Sequence, residues 1–311
     1  MSDPVIQSLP GNRLRAMMGR GIVVAPGAFN GLVARAVADA GFDAAYVSGG
    51  AVSAASGVPD IGLVSLDGFC AIIRQVAASS GLPVIADADT GFGEVEMVAR
   101  TVHAYHDAGA AGLHIEDQVF PKRCGHLEGK RLIAVEHFQE KLAAAARARE
   151  AIHAATGERM IVCARTDAVA VEGFAEAVRR STAYAQAGAD MIFPEAMTTE
   201  QQFVDFAAAM RSLPGEAPSG GPYLLAHMSE FGKTPVIEHS RLGAMGYHFV
   251  IHPVTTLRIA MRAVIDALDS IKRETTVKTI LDRMQPRAEL YQLLGYNPGD
   301  EWTYPGATRS D

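Results

Sequence analysis

Short runs of consecutive apolar residues recur along the chain, and amphipathic stretches fill the intervals between them. Four runs follow one repeated phrase, in which a helical tail closes on glycine and an apolar strand begins. Gly41 precedes F-D-A-A-Y-V-S-G, Gly109 precedes A-A-G-L-H-I-E-D, Gly188 precedes A-D-M-I-F-P-E, and Gly246 precedes Y-H-F-V-I-H-P. Glycine at that place suits the left-handed cap that ends many helices. These four strands are predicted at 44–48, 111–115, 190–194 and 247–252, and four more runs at 22–26, 83–87, 160–164 and 223–227 make eight. Helical spacing shows between them: Val95, Val98, Val102 and Tyr105 share a face in 95–108, and Phe138, Leu142, Ala145, Arg149 and Ile152 in 136–153. Beyond the last strand, 254–273 predicts a long helix, and 276–295 one or two more around Pro286.

Strands this uniformly apolar are covered on both faces, as in parallel sheets wrapped by helices. Eight of them alternating with helices predict an α/β fold of the (β/α)8 TIM-type barrel kind. A doubly wound open sheet is the alternative, but it usually carries a glycine-rich phosphate loop after its first strand. Here that position reads A-P-G-A-F-N-G, a poor match. The whole chain, 1–311, is read as one barrel domain with 254–311 as a helical C-terminal extension used in oligomerisation. A barrel places its chemistry after the strands, at the C-terminal face. Ser48-Gly49-Gly50, Asp87 and Asp89, Glu116 and Asp117, Arg165 and Asp167, Glu195, His227 and Glu230, and His252 all follow predicted strands.

Composition narrows the partners. A core-forming 49% hydrophobic content with 20% charged residues describes a globular domain. The net charge of −7 argues against nucleic acid as the main partner, while leaving room for a small anionic substrate at a locally cationic site. The three cysteines, Cys70, Cys124 and Cys163, form no framework, which fits a reducing cytosol. The N-terminus lacks an apolar signal core, and no apolar run approaches the roughly 18–20 residues that span a bilayer. A cytoplasmic protein without a membrane partner is expected.

The segment from Asp87 to His126 carries the densest chemistry. It opens D-A-D-T-G-F-G and ends H-I-E-D-Q-V-F-P-K-R-C-G-H, so Asp87, Asp89, Glu116 and Asp117 sit at the ends of two strands. Carboxylates gathered there suit Mg²⁺, a hard cation that takes oxygen ligands and keeps several waters. The loop of about 118–134 is long for a strand-to-helix connection and bears Lys122, Arg123, Cys124, Gly125, His126, Gly129 and Lys130. A lid that carries Cys124 onto bound substrate for proton transfer or nucleophilic work is the functional reading. Plainer readings stand beside it: Asp87 and Asp89 as helix caps, Arg165 and Asp167 as a structural ion pair, and Cys70 and Cys163 as core packing.

The chain resembles the isocitrate lyase/phosphoenolpyruvate mutase superfamily, and within it the 2-methylisocitrate lyase branch. The resemblance rests on Y-V-S-G-G (46–50), G-V-P-D-I-G (57–62), D-A-D-T-G-F-G (87–93), G-L-H-I-E-D-Q-V (112–119) and K-R-C-G-H (122–126). A-R-T-D-A-V-A-V-E-G (164–173), F-P-E-A (193–196), E-F-G-K-T-P (230–235) and M-Q-P-R-A-E-L-Y (284–291) extend it over nearly the whole length. K-R-C-G-H marks the carbon–carbon lyase branch over the phosphonate branch.

This resemblance implies retro-aldol cleavage of a 2-hydroxy di- or tricarboxylate, 2-methylisocitrate giving pyruvate and succinate, with Mg²⁺ (or Mn²⁺) as cofactor. It implies Asp87 as the direct metal ligand, with Asp60, Asp89 and Glu116 acting through waters. Arg165 would offset the oxyanion, Cys124 would protonate the departing carbanion, and Tyr46 is the candidate base. Ser48, Gly49 and Gly50 would hold the keto-acid carboxylate, and Gly125, His126, Glu195, Ser229, Arg258 and Arg287 the rest of the substrate or the closed lid. The eighth helix would be exchanged between subunits of a homotetramer.

One position departs from the family. In L-A-H-M-S-E-F-G, His227 stands where these lyases usually have asparagine, which donates to a substrate carboxylate. That substitution keeps a 2,3-dimethylmalate lyase and an oxaloacetate hydrolase open as alternatives. A non-catalytic barrel that binds a keto acid is a third.

Overall fold

The computed structural model describes residues 8–303 apart from His126. Eight parallel strands form its centre: β1 (Val23–Pro26), β2 (Ala45–Val47), β3 (Val84–Asp87), β4 (Gly112–Glu116), β5 (Ile161–Thr166), β6 (Met191–Pro194), β7 (Tyr223–His227) and β8 (Phe249–His252). Each lies within two residues of a predicted run. The strand order is β1-β8-β7-β6-β5-β4-β3-β2, and a parallel bridge between Gly27 and Tyr46 joins the last strand to the first. The sheet therefore closes into the TIM-type barrel that the apolar pattern predicted.

Two cores account for strands that are apolar on both faces. Inside the barrel, Val23, Ala25, Tyr46, Ile85, Cys163, Phe193, Leu225 and Ile251 pack together. Outside, Val47, Val84, Leu113, Val162, Ile192 and Val250 meet the helices. The surrounding helices are α1 (Pro10–Met18), α2 (Gly31–Asp39), α3 (Gly49–Ala55), α4 (Leu66–Ser80), α5 (Val95–Asp107) and α6 (Val135–Thr156). After β5 come α7 (Ala168–Val171) and α8 (Phe174–Gln186), then α9 (Glu200–Met210), α10 (His239–Met245) and α11 (Thr255–Glu274). The side chains of Asn30, Ser48, Ser65 and Thr199 cap helix starts by accepting backbone N–H bonds. The four glycines of the repeated phrase hold φ between 81° and 107°, the conformation that ends a helix and turns the chain into the next strand.

Helix α1 is not visible in the apolar pattern. Its segment, P-G-N-R-L-R-A-M-M, offers few apolar positions, yet Leu14 and Met18 plug the N-terminal mouth of the barrel. Arg15 of the same helix is buried, donating to Met160 O at 2.9 Å and to Asp190 Oδ1 at 2.8 Å.

The C-terminal extension leaves the barrel. Along α11 only Ser270 is buried, while Ile259, Met261, Val264, Ile265, Leu268 and Ile271 are exposed. A 3₁₀ turn (Lys278–Arg283) and α12 (Arg287–Leu293) follow, and α12 packs against α2. Among the described residues, no helix is long and apolar enough to cross a membrane.

Candidate active site

The C-terminal ends of β3, β4 and β5 bring a set of carboxylates to one rim. Asp87 closes β3 and is nearly fully buried. Its Oδ1 accepts the Asp89 N–H at 2.9 Å and its Oδ2 the Gly49 N–H at 3.1 Å. Burial alone would raise its pKa, but His114, Lys122 and Arg165, with the Asp89 N–H, hold it below the usual carboxylate range. Asp89 adopts φ 46°, and burial together with the Asp87 charge pushes its pKa up to about 6. A side chain on Gly49 would not fit, since a Cβ there would lie 2.6 Å from Asp87 Oδ2.

Alternation along β4 decides which way its residues face. His114 and Glu116 point into the barrel, while Asp117 turns outward. Thr166 Oγ1 at 2.7 Å and Tyr184 OH at 2.8 Å donate to Asp117 Oδ2. Asp117, grouped by sequence with the metal-binding carboxylates, is therefore a supporting residue behind the rim. Glu116 is fully buried with Oε2 3.1 Å from Arg165 Nη1, and its Oε1 has no hydrogen-bond partner among the described residues. Burial pushes its pKa well up, against the pull of Arg165 and Lys122.

Two buried cations answer these acids. Lys122 Nζ lies 2.5 Å from Asp60 Oδ1 and 2.8 Å from Asp89 Oδ1. Arg165, at the end of β5, faces Glu116 at 3.1 Å, Asp167 at 3.0 Å and Glu195 at 3.7 Å, and its guanidinium lies over the Phe193 ring. Around the rim, Asp60, Asp87, Asp89 and Glu116 are more carboxylates than Lys122 and Arg165 can pair, and Asp167 and Glu195 also draw on Arg165. A divalent cation would offset that excess, and the unbonded Oε1 of Glu116 is the kind of oxygen a metal-bound water would reach. Among the described residues, no three His, Cys, Asp or Glu side chains are gathered to ligate one ion. The oxygen donors at the rim are of the kind that a hard cation such as Mg²⁺ takes.

Above the rim, loop 118–134 folds into a small hairpin. Val119 N bonds Arg131 O at 2.8 Å, and the Gln118 side chain bridges both backbone groups of Arg123. Gly125 seats the loop closely: a Cβ there would be 2.6 Å from Arg165 Nη2 and 2.7 Å from Glu195 Cδ. Half-buried Cys124 reaches the rim beside it.

Loop and rim enclose a cavity of about 90 Å³. Tyr46, Ser48, Gly50, Asp60, Asp87 and Cys124 line it, with Gly125, Arg165, Glu195, His227, Ser229 and Arg258. Asp89, Glu116 and Gly49 stand just behind, through the contacts above. Arg287 is exposed on α12, which packs on the barrel's flank, so a single chain does not bring it to the cavity. His126 lies outside the described residues. A wider groove of about 730 Å³ on the flank is not lined by Asp87, Asp89 or Glu116; in it His137 meets Glu94 at 2.6 Å and Lys141 donates to the Thr90 carbonyl at 2.8 Å.

Sequence reasoning missed His114. Its Nε2 lies 2.6 Å from Tyr46 OH, both rings are buried, and its Nδ1 is 3.8 Å from Asp87 Oδ1. Burial lowers its pKa to about 4 against the opposing pull of Asp87, so the ring is neutral near pH 7, while burial and Asp87 keep Tyr46 a protonated phenol. The alternation of G-L-H-I-E already puts His114 on the same face as Glu116. Histidine 227 meets Glu195 instead, Nδ1 to Oε2 at 2.9 Å, and His252 pairs with His239 at 2.8 Å.

The phosphoenolpyruvate phosphomutase family model matches residues 14–272. A Corynebacterium glutamicum protein named "Probable 2-methylisocitrate lyase 2" is 48% identical over 272 residues, covering 88% of this chain and 83% of its own. The crystal structure of 2,3-dimethylmalate lyase, a PEP mutase/isocitrate lyase superfamily member, superposes with a TM-score of 0.83 at 35% identity, covering 92% of each chain. That of phosphonopyruvate hydrolase with oxalate and Mg²⁺ superposes with a TM-score of 0.79 at 30% identity, covering 92% of this chain and 95% of that one.

Proposed function

The chain belongs to the phosphoenolpyruvate mutase/isocitrate lyase superfamily, and we propose that this carbon–carbon lyase cleaves 2-methylisocitrate to pyruvate and succinate. The observation that carries the reading is that Cys124, Arg165 and Asp87 line one cavity, with Tyr46 on its floor. An acid, a cation, a metal-binding carboxylate and a proton-accepting hydroxyl are the groups that retro-aldol cleavage requires.

Asp87 would hold Mg²⁺, or Mn²⁺ in its place, and Asp60, Asp89 and Glu116 would support it through water. Bound there, the metal would supply Lewis-acid polarisation of the substrate. Ser48, Gly49 and Gly50 at the start of α3 receive the carboxylate that stays with the keto acid. Tyr46 takes the hydroxyl proton and passes its own to neutral His114 behind it. As the carbonyl forms, the carbon–carbon bond breaks and its electron pair moves to the carbon that becomes succinate. Arg165 offsets the charge on the oxygen, and the Cys124 thiol delivers a proton to that carbon. Glu195, His227, Ser229 and Arg258 face the departing half, with Gly125 closing over it.

His227 favours a second reading. With its Nδ1 on Glu195 at 2.9 Å, His227 presents an imidazole where asparagine would present an amide donor. The imidazole is also bulkier, which suits a smaller acid such as 2,3-dimethylmalate or oxaloacetate. A purely binding barrel has no use for the assembled acid, cation and base. Assaying 2-hydroxydiacids and oxaloacetate with Mg²⁺, and following release of 2-keto acid or oxalate, tests these readings together. Turnover of none of them would sink the assignment.

The exposed apolar stripe of α11 supports exchange of this helix between subunits of a homotetramer, which light scattering at micromolar concentration would check; a monomer refutes it. Cysteines that form no disulfide fit a cytoplasmic enzyme.

A further inference from the structure

The acid-bearing loop and the rim arginine share one anchor. Asp167 is fully buried, and its Oδ2 accepts from Arg165 Nε at 3.0 Å while Oδ1 accepts from Arg165 Nη2 at 3.1 Å. The same Oδ1 accepts from Lys130 Nζ at 2.7 Å. Lys130 is itself buried, and its ammonium also donates to the carbonyl of Gly125, the residue that follows Cys124. Asp167 is fixed from behind, since its backbone N–H donates to Asp117 Oδ1 at 3.0 Å, and Tyr184 holds Asp117 in turn.

A buried ammonium is tolerated only when its charge and N–H groups are answered. Lys130 finds both answers only while the loop is down: a carboxylate beneath it and a carbonyl of its own loop beside it. Were the loop lifted, Lys130 would regain water and the Asp167 side chain would keep Arg165 alone. Seating the loop therefore does more than cover the cavity. It sets Gly125, and with it Cys124, at a fixed distance from the guanidinium that shares the carboxylate.

We propose that Lys130 is a positioning residue that seats Cys124 through the Gly125 carbonyl, with Asp167 as the anchor common to Cys124's loop and Arg165. The proposal rests on the lyase reading for what Cys124 does once seated, while the seating itself can be tested without turnover.

Two readouts on Lys130→Met in the full-length protein decide it. In the steady state, kcat falls by about 10²-fold with KM little changed, because the substrate groups on the rim are intact and only the acid is misplaced. In the absence of substrate, Cys124 is alkylated by iodoacetamide severalfold faster than in the parent protein, with the modified peptide identified by mass. Cys70 and Cys163 are buried and serve as internal controls. Should Lys130→Met fail to fold, Lys130→Gln, which retains a hydrogen-bond donor without the charge, is read in the same two assays. Unchanged alkylation overturns the proposal whatever kcat does, and unchanged kcat with faster alkylation overturns the positioning role. If the parent turns over no hydroxydiacid, the lyase reading fails, and the alkylation rate alone decides whether Lys130 seats the loop.

Discussion

Tyr184 OH donates to Asp117 Oδ2 at 2.8 Å, so the residue next to the rim carboxylate Glu116 faces a helix and not the cavity. Asp117 supports the site from outside the barrel wall, between α8 and the backbone of Asp167. Removing the phenol oxygen by Tyr184→Phe leaves Asp117 its bonds from Thr166, Arg180 and the Asp167 N–H. The hydroxyl also accepts from Arg180 Nη1 at 3.0 Å, so two bonds to charged groups are lost, and stability should fall by about 1.5–3 kcal/mol or more with kcat close to the parent value. A chemical denaturation midpoint beside a steady-state assay checks both. A large loss of kcat at unchanged stability would place Asp117 in the chemistry after all.

Metal dependence follows from the excess of carboxylates at the rim. Exhaustive chelation should abolish activity, and added Mg²⁺ should restore it. Asp87→Ala should be inactive at any Mg²⁺ concentration yet fold, since the β3 ladder and the Tyr105 OH bond to the residue 87 carbonyl remain, although the Asp89 and Gly49 N–H groups lose their acceptor. Circular dichroism with a Mg²⁺ titration of activity tests this; full activity in chelator sinks the mechanism.

How far the sequence reveals this site depends on whether a residue's direction can be read from its spacing. The eight strands are legible because each apolar run is bounded by glycine or by charge, and TIM-type closure follows from their number and alternation. Asp87, Cys124, Arg165 and Glu195 are legible because a barrel's strand ends converge. Facing is harder. Asp117 is misplaced when read as part of an acidic pair, although period-two alternation separates it from Glu116 and joins Glu116 to His114. The position of Lys122 between Asp60 and Asp89 depends on the path of a loop, which no local pattern encodes. Helix α1 is missed because it plugs the barrel with a few side chains and presents no continuous apolar face.

Acid sensitivity has a specific source away from the site. His248 Nδ1 accepts the Leu224 N–H at 3.1 Å, leaving Nε2–H to face Ser219 Oγ at 3.1 Å, so the folded protein needs the ring neutral. Burial lowers its pKa from 6.5 to about 4. A depressed pKa contributes stability that is whole above 6.5 and is lost as pH falls toward 4, because the unfolded chain takes up the proton first. His248→Asn keeps an acceptor for Leu224 and cannot protonate. The drop in Tm between pH 7 and pH 4.5 should be smaller in this variant than in the parent; an equal drop in both would assign the acid sensitivity elsewhere.

If Cys124 delivers the proton, Cys124→Ser should bind substrate with a near-normal dissociation constant and lose about 10²- to 10⁴-fold in turnover, the usual worth of a general acid. Serine is close in size but is a far weaker acid. Stopped-flow detection of 2-keto acid, with binding measured calorimetrically, separates the two effects. A serine enzyme at near-normal rate would leave the loop as a cover without an acid.

His227 is where this chain's own choice of substrate should show. Its Nδ1 lies 2.9 Å from Glu195 Oε2, and Glu195 lies 3.7 Å from Arg165, so the ring is tied through one carboxylate to the guanidinium at the reacting centre. Replacing it by asparagine frees room and offers an amide donor. His227→Asn should therefore shift preference toward the bulkier 2-methylisocitrate by raising its kcat/KM relative to 2,3-dimethylmalate. Each unit of tenfold change in that ratio corresponds to about 1.4 kcal/mol of differential transition-state binding. If the ratio of kcat/KM values is the same in both proteins, His227 only supports Glu195, and the preference lies with Ser229, Arg258 and the lid.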